Sequence, residues 1–106
     1  MSNLTTTDIL SMLDKVEQMH IAGQTSQALD ILLECFDDEF HKGNFLVVNE
    51  TLNLIDVNKF GLQILMGVLS ATGPGKHRLI SRTKFLEVVK KRANDLNRSD
   101  ALPYIV

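Results

Sequence analysis

The pattern of apolar residues predicts an all-α chain of about five short helices stacked as antiparallel hairpins. Apolar side chains recur at three- and four-residue steps over most of the 106 residues, the period of one face of a helix. Both prolines fall late, at Pro74 and Pro103, so nothing before residue 73 forbids helix. Glycines and capping residues then cut the chain into lengths typical of globular helices.

A first helix is predicted from about Thr7 to Ile21. Thr5 and Asp8 stand at capping-box spacing, and Ile9, Leu13, Val16 and His20 make one stripe. Gly23 occupies the place where a left-handed cap is needed. The second helix starts at Thr25 or Ser26 and runs to about His41, with Ala28, Leu29, Leu32, Leu33, Phe36 and Phe40 inward. Asp30, Glu34, Asp37 and Asp38 fall largely outside. Gly43 closes it, and Asn44 is expected to cap a third helix to about Ile55 whose face is Phe45, Val48, Leu52 and Ile55.

Asp56-Val57-Asn58 reads as a turn, with Asn58 capping a fourth helix from about Lys59 to Ala71. Phe60, Leu62, Ile64, Leu65, Met66, Val68 and Leu69 leave this helix without a polar face, which predicts the central position. Gly67 within it costs up to about 1 kcal/mol against Ala, so it marks close approach by a neighbour. Leu62–Leu69 also fits a buried strand, but no second convincing strand exists to pair with it. After Thr72-Gly73-Pro74-Gly75 a loop continues to about Ile80, and Ser81 is expected to cap a fifth helix to about Leu96. Phe85, Val88, Val89, Ala93 and Leu96 point inward in that reading. Leu65, Leu69, Leu32, Phe36, Leu52 and Phe85 are expected among the most buried side chains. Residues 1–106 form one helical domain whose apolar tail, 101–106, either folds back on the core or packs on a second copy as a homodimer.

Between His20 and Phe36 the sequence resembles the middle of a tetratricopeptide repeat. Gly23 stands near the end of the first helix, Ala28 early in the second, and Phe36 some turns later. The likeness covers one helix hairpin. It implies stacked antiparallel helix pairs and a protein–protein binding scaffold rather than an enzyme.

Composition bounds the setting. Apolar residues make up 44% and charged residues 23%, the balance of a folded chain. Cys35 is the single cysteine, which excludes an intramolecular disulfide and points to a reducing, cytoplasmic compartment. The start of the chain carries no secretory signal pattern. Its longest uncharged stretch, from Phe60 to Gly75, is broken by Gln63, Ser70, Thr72, glycines and Pro74, so no membrane span is expected. The net charge of −2 hides an asymmetry: residues 1–56 hold ten acids against two bases, and residues 57–106 nine bases against three acids. Such a chain pairs its halves internally or presents two surfaces of opposite sign.

Catalytic chemistry finds little support. Cys35 and His41 are the only Cys and His near each other, and zinc spacing is missing, so neither a metal nor another cofactor is expected. Acidic neighbours on its helix would suppress a Cys35 thiolate. Gly73-Pro74-Gly75-Lys76 is no phosphate loop, because Ser70 replaces the first glycine, His77 the hydroxyl, and Pro74 removes an N–H. Lys76, His77, Arg78, Arg82 and Lys84 do break a local rule: they gather where the fifth helix begins, against its dipole. They are the expected partner-binding residues. Their counter-anion is an acidic protein surface, a phosphate backbone, or the chain's own Asp37, Asp38 and Glu39. Stacking aromatics are missing from the cluster, and the pI of 5.8 is far from a nucleic-acid binder's. The sequence therefore reads as a non-enzymatic protein-interaction module, an adaptor or regulator, with a nucleic-acid-associated protein as the alternative.

Overall fold

Helix formation begins at Thr5. Its hydroxyl oxygen accepts from the Asp8 backbone N–H at 3.2 Å, and the Asp8 carboxylate accepts from the Thr5 backbone N–H at 3.0 Å. This reciprocal box satisfies two donors that a helix start leaves open and opens α1 (Thr6–Ile21). In the computed structural model, which describes residues 4–73 and 80–105, α1 is followed by α2 (Thr25–Lys42), α3 (Phe45–Leu54), α4 (Leu62–Ala71) and α5 (Ile80–Asp95). Two 3-10 segments, Val57–Lys59 and Ser99–Tyr104, complete the chain, and no strand occurs among the described residues. The fold is all-α.

Three helices end by one device. Gly23 (φ 85°), Gly43 (φ 76°) and Asn97 (φ 58°) are left-handed. At each, the next residue donates its N–H five residues back: Gln24 to Met19, Asn44 to Glu39, and Arg98 to Ala93. These are Schellman closures, in which a residue that tolerates positive φ, Gly or Asn, lets the last carbonyls find donors. The short break at Ala22–Gln24 returns α2 antiparallel along α1.

α2 and α4 build the centre. α2 packs on α1, α3 and α4, while α5 packs on α3 and α4. Ile64, Leu65, Val68 and Leu69 of α4 meet Leu32 and Phe36 of α2 in one buried cluster with Leu52 and Phe85. All six side chains expected to be most buried are so, none more than 4% exposed. Gly67 lets α2 approach: a Cβ there would stand 2.6 Å from Leu29 Cδ1. The buried hydroxyls of Thr51 and Thr72 donate to the carbonyls of Val47 and Val68, at 2.7 and 2.8 Å, so neither is an orphan.

Several local expectations are corrected. Asn44 does not cap α3 through its side chain; its Nδ2 donates to Glu39 Oε2 at 2.8 Å. Phe45, expected inward, sits on the exposed edge and meets Phe40 with ring centroids 6.2 Å apart, because Val48, Thr51 and Leu52 form the buried face. Asn58 is no cap for α4. Asp56 accepts from the Asn58 N–H at 3.0 Å and starts a 3-10 turn. Phe60 then runs extended to bury its ring, so α4 begins only after Gly61. Ser81 lies inside α5, and its N–H donates across to Asn49 Oδ1 of α3 at 3.1 Å. Val88 and Leu96 are partly exposed, because among the described side chains of α5 the buried apolar face is Phe85, Val89 and Ala93. The tail turns back: Ala101 and Ile105 are buried, Ile105 to 2%, while Tyr104 stays in solvent. Val106 lies outside the described residues.

Candidate interaction surfaces

The basic cluster divides in the structure. Lys76, His77 and Arg78 lie outside the described residues. Lys84 is exposed on α5. Arg82, expected among the partner-binding residues, is half-buried, and its Nη2 donates to the Leu69 carbonyl oxygen at 2.9 Å. That carbonyl belongs to the last turn of α4, where helix dipoles present negative ends and carbonyls lack intrahelical donors. The cost of a cation at the start of α5 is thus offset by the end of α4. Burial pushes the Arg82 guanidinium pKa down from its ordinary value. Of the acids named as internal partners, Asp38 holds Lys42 of its own helix at 2.8 Å, and Glu39 holds Asn44.

A second surface was not anticipated. An open groove of about 700 Å³ runs between α1 and α2. From α1 it takes Asp8 and Met12, continued backward by Leu4; these stand at four-residue steps on one face. From α2 it takes Ile31, Glu34, Cys35, Asp38, Glu39 and Lys42, again one stripe at three- and four-residue steps. The stripe extends roughly 16 Å, about three helical turns. Leu4, Met12 and Ile31 are half-buried against the core and make an apolar floor with Cys35. Asp8, Glu34 and Asp38 stand exposed around it with Glu39 buried beside them, and among the described residues Lys42 is the single basic lining residue.

Glu39 is the unexpected member, only 4% exposed. It continues the buried stripe of Ala28, Leu32 and Phe36, and the Schellman turn at Gly43 swings Asn44 back over it and supplies a donor. Asp8 is held below its ordinary pKa first by the Thr5 backbone N–H and then by the Thr5 hydroxyl. The Cys35 thiol is pushed up, chiefly by burial and then by the charges of Glu39 and Asp38, against a weaker opposite effect of Lys42. At neutral pH Asp8 is therefore ionised and the Cys35 thiol protonated.

His20 and His41 are separate from this groove. His20 Nδ1 lies 2.9 Å from Thr25 Oγ1, and its ring leans on Phe60 with centroids 6.4 Å apart. His41 is exposed at the end of α2. Among the described residues no group of three His, Cys, Asp or Glu side chains is placed to hold a metal. Among the described residues no helix is long and apolar enough to cross a membrane. Comparison with protein families, with curated proteins and with solved structures gives no match for this chain.

Proposed function

We propose that this chain is a non-enzymatic protein-interaction module, an adaptor or regulator working in the cytoplasm, that binds a partner on its α1–α2 hairpin. The observation that carries the reading is the groove between these helices, whose apolar floor is open to solvent within a ring of charge. Concave surfaces with an apolar base and oriented polar groups are where proteins bind ligands and helices. The resemblance of residues 20–36 to a tetratricopeptide hairpin agrees with it, since such hairpins serve as binding scaffolds. Leu46, 87% exposed at the start of α3, adds an apolar contact outside the core.

A second contact is proposed at the basic cluster, with an acidic protein surface as its ligand. Lys84 stands exposed there, whereas Arg82 is occupied with α4.

Affinity purification from the native cell with mass spectrometry tests the reading. A specific protein retained by the wild type, and lost when Glu34 and Asp38 are changed to Lys, is the expected result. Retention unchanged by those substitutions but lost in Arg78→Glu/Lys84→Glu moves the contact to the cluster. Turnover of a small-molecule substrate, or salt-sensitive nucleic-acid binding without any protein partner, would overturn it.

A further inference from the structure

We infer that the occupant of the α1–α2 groove is a basic amphipathic helix of another protein, laid along α2 with its apolar side on Met12, Ile31 and Cys35. The inference rests on the interaction-module reading above and adds the chemistry of the partner.

The shape argues for a helix. Two neighbouring helices offer a valley, and its α2 wall is one straight stripe roughly 16 Å long, matching about three turns of an added helix. A third helix in that valley would bury the half-exposed floor in the ridge-and-groove manner by which α1 and α2 already bury each other. Helix-in-groove recognition reads anchors at three- and four-residue spacing, which is the spacing of the floor itself.

The charge argues for a basic partner. Among the described residues three exposed carboxylates, Asp8, Glu34 and Asp38, and the buried Glu39 line the groove against one ammonium, which Asp38 holds at 2.8 Å. Glu34 is exposed on the same stripe. Asp8 is kept ionised by the capping box, because protonation would break its bond with the Thr5 N–H. Lys and Arg flanking an apolar stripe would meet this rim with opposite sign, and Arg would find carboxylates suited to paired hydrogen bonds. The same rim repels nucleic acid and anionic lipid surfaces, so neither fits this groove.

The test uses the intact chain and three labelled synthetic peptides. The first places Leu at helical spacing and Lys elsewhere, the second has the same composition scrambled, and the third replaces Lys by Glu. Fluorescence anisotropy is expected to show binding of the first peptide, with the other two weaker by about tenfold or more. Glu34→Lys/Asp38→Lys, both exposed positions that leave the core untouched, should weaken the first peptide by about tenfold or more while circular dichroism stays unchanged. Met12→Ser should weaken it without altering its salt dependence. Equal binding of the scrambled peptide would show charge attraction without a groove and overturn the inference. Equal binding of the Glu peptide, or indifference to the rim substitutions, would overturn it as well. Concentration-dependent dimerisation abolished by the same rim substitutions would make the occupant the basic α5 of a second copy instead. A cellular partner that survives the rim substitutions would leave the interaction-module reading standing and remove the groove from it.

Discussion

Replacing Gly67 by Ala sets two effects of opposite sign against each other, and the structure says which wins. Within the helix interior Ala is favoured over Gly by about 1 kcal/mol. At this position, however, the new Cβ would stand 2.6 Å from Leu29 Cδ1 and 2.9 Å from Cδ2. Both separations are well inside van der Waals contact, so Leu29 or the α2–α4 spacing must yield. Overpacking a core contact costs about 1–3 kcal/mol. Because Leu29 is half-buried and its methyls are the end of a flexible side chain, the lower half of that range applies. The net expectation for Gly67→Ala is a loss of up to about 1 kcal/mol. In a Leu29→Ala background the clash is gone, and the same substitution should stabilise by about 0.5–1 kcal/mol. Urea denaturation followed by far-UV circular dichroism measures both, which suits a chain without Trp. The sign reversal is the test. An effect of equal size and sign in the two backgrounds would refute the close-approach account of Gly67.

Arg82→Ala should destabilise by about 1–2 kcal/mol, since it removes a charged donor from the Leu69 carbonyl, whereas Lys84→Ala should change stability by less than about 0.5 kcal/mol; equal effects by urea titration would contradict the division of the basic cluster. Asp8 has a lowered folded pKa, so its contribution is present above the unfolded value near 3.8 and lost as pH falls through the folded value. Wild type should therefore melt above Asp8→Asn at neutral pH and converge with it in strong acid, and a gap independent of pH would contradict the capping role. Asp38→Asn should speed alkylation of Cys35 at neutral pH, because it removes a charge that raises the thiol pKa and releases Lys42, which lowers it. An unchanged rate would mean that the Asp38 charge has no part in setting the reactivity.

Some of this molecule was readable in its residues because the governing physics is local. The Thr5–Asp8 box and the left-handed ends at Gly23 and Gly43 depend on neighbours within a few positions, and both formed as the spacing indicated. The apolar wrap of α4 likewise placed Leu65 and Leu69 at the centre. Expectations failed where a distant residue supplied the partner. Asn49 of α3 receives the Ser81 amide, and the end of α4 receives Arg82, so neither the α5 start nor the basic cluster could be judged from its own segment. Asn44 and Asn58 look like caps by residue type, yet a buried carboxylate and an Asp turn claimed them first. The groove left a faint trace, because Leu4, Asp8 and Met12 keep a four-residue step and Ile31, Glu34, Cys35, Asp38 and Lys42 share one face. What the residues did not announce is that these two stripes face the same valley. That depends on how α2 turns back after Gly23.

The central claim is that a basic helix lies in the valley between α1 and α2, and backbone amide chemical-shift mapping of the isotope-labelled chain tests it most directly. On titration with the Leu–Lys amphipathic peptide, the largest shifts should fall on Asp8, Met12, Ile31, Cys35 and Asp38, with Lys84 and the 3-10 segment Ser99–Tyr104 unmoved. Shifts centred on α5 or on Leu46, or no shifts at a peptide concentration where anisotropy reports saturation, would contradict it.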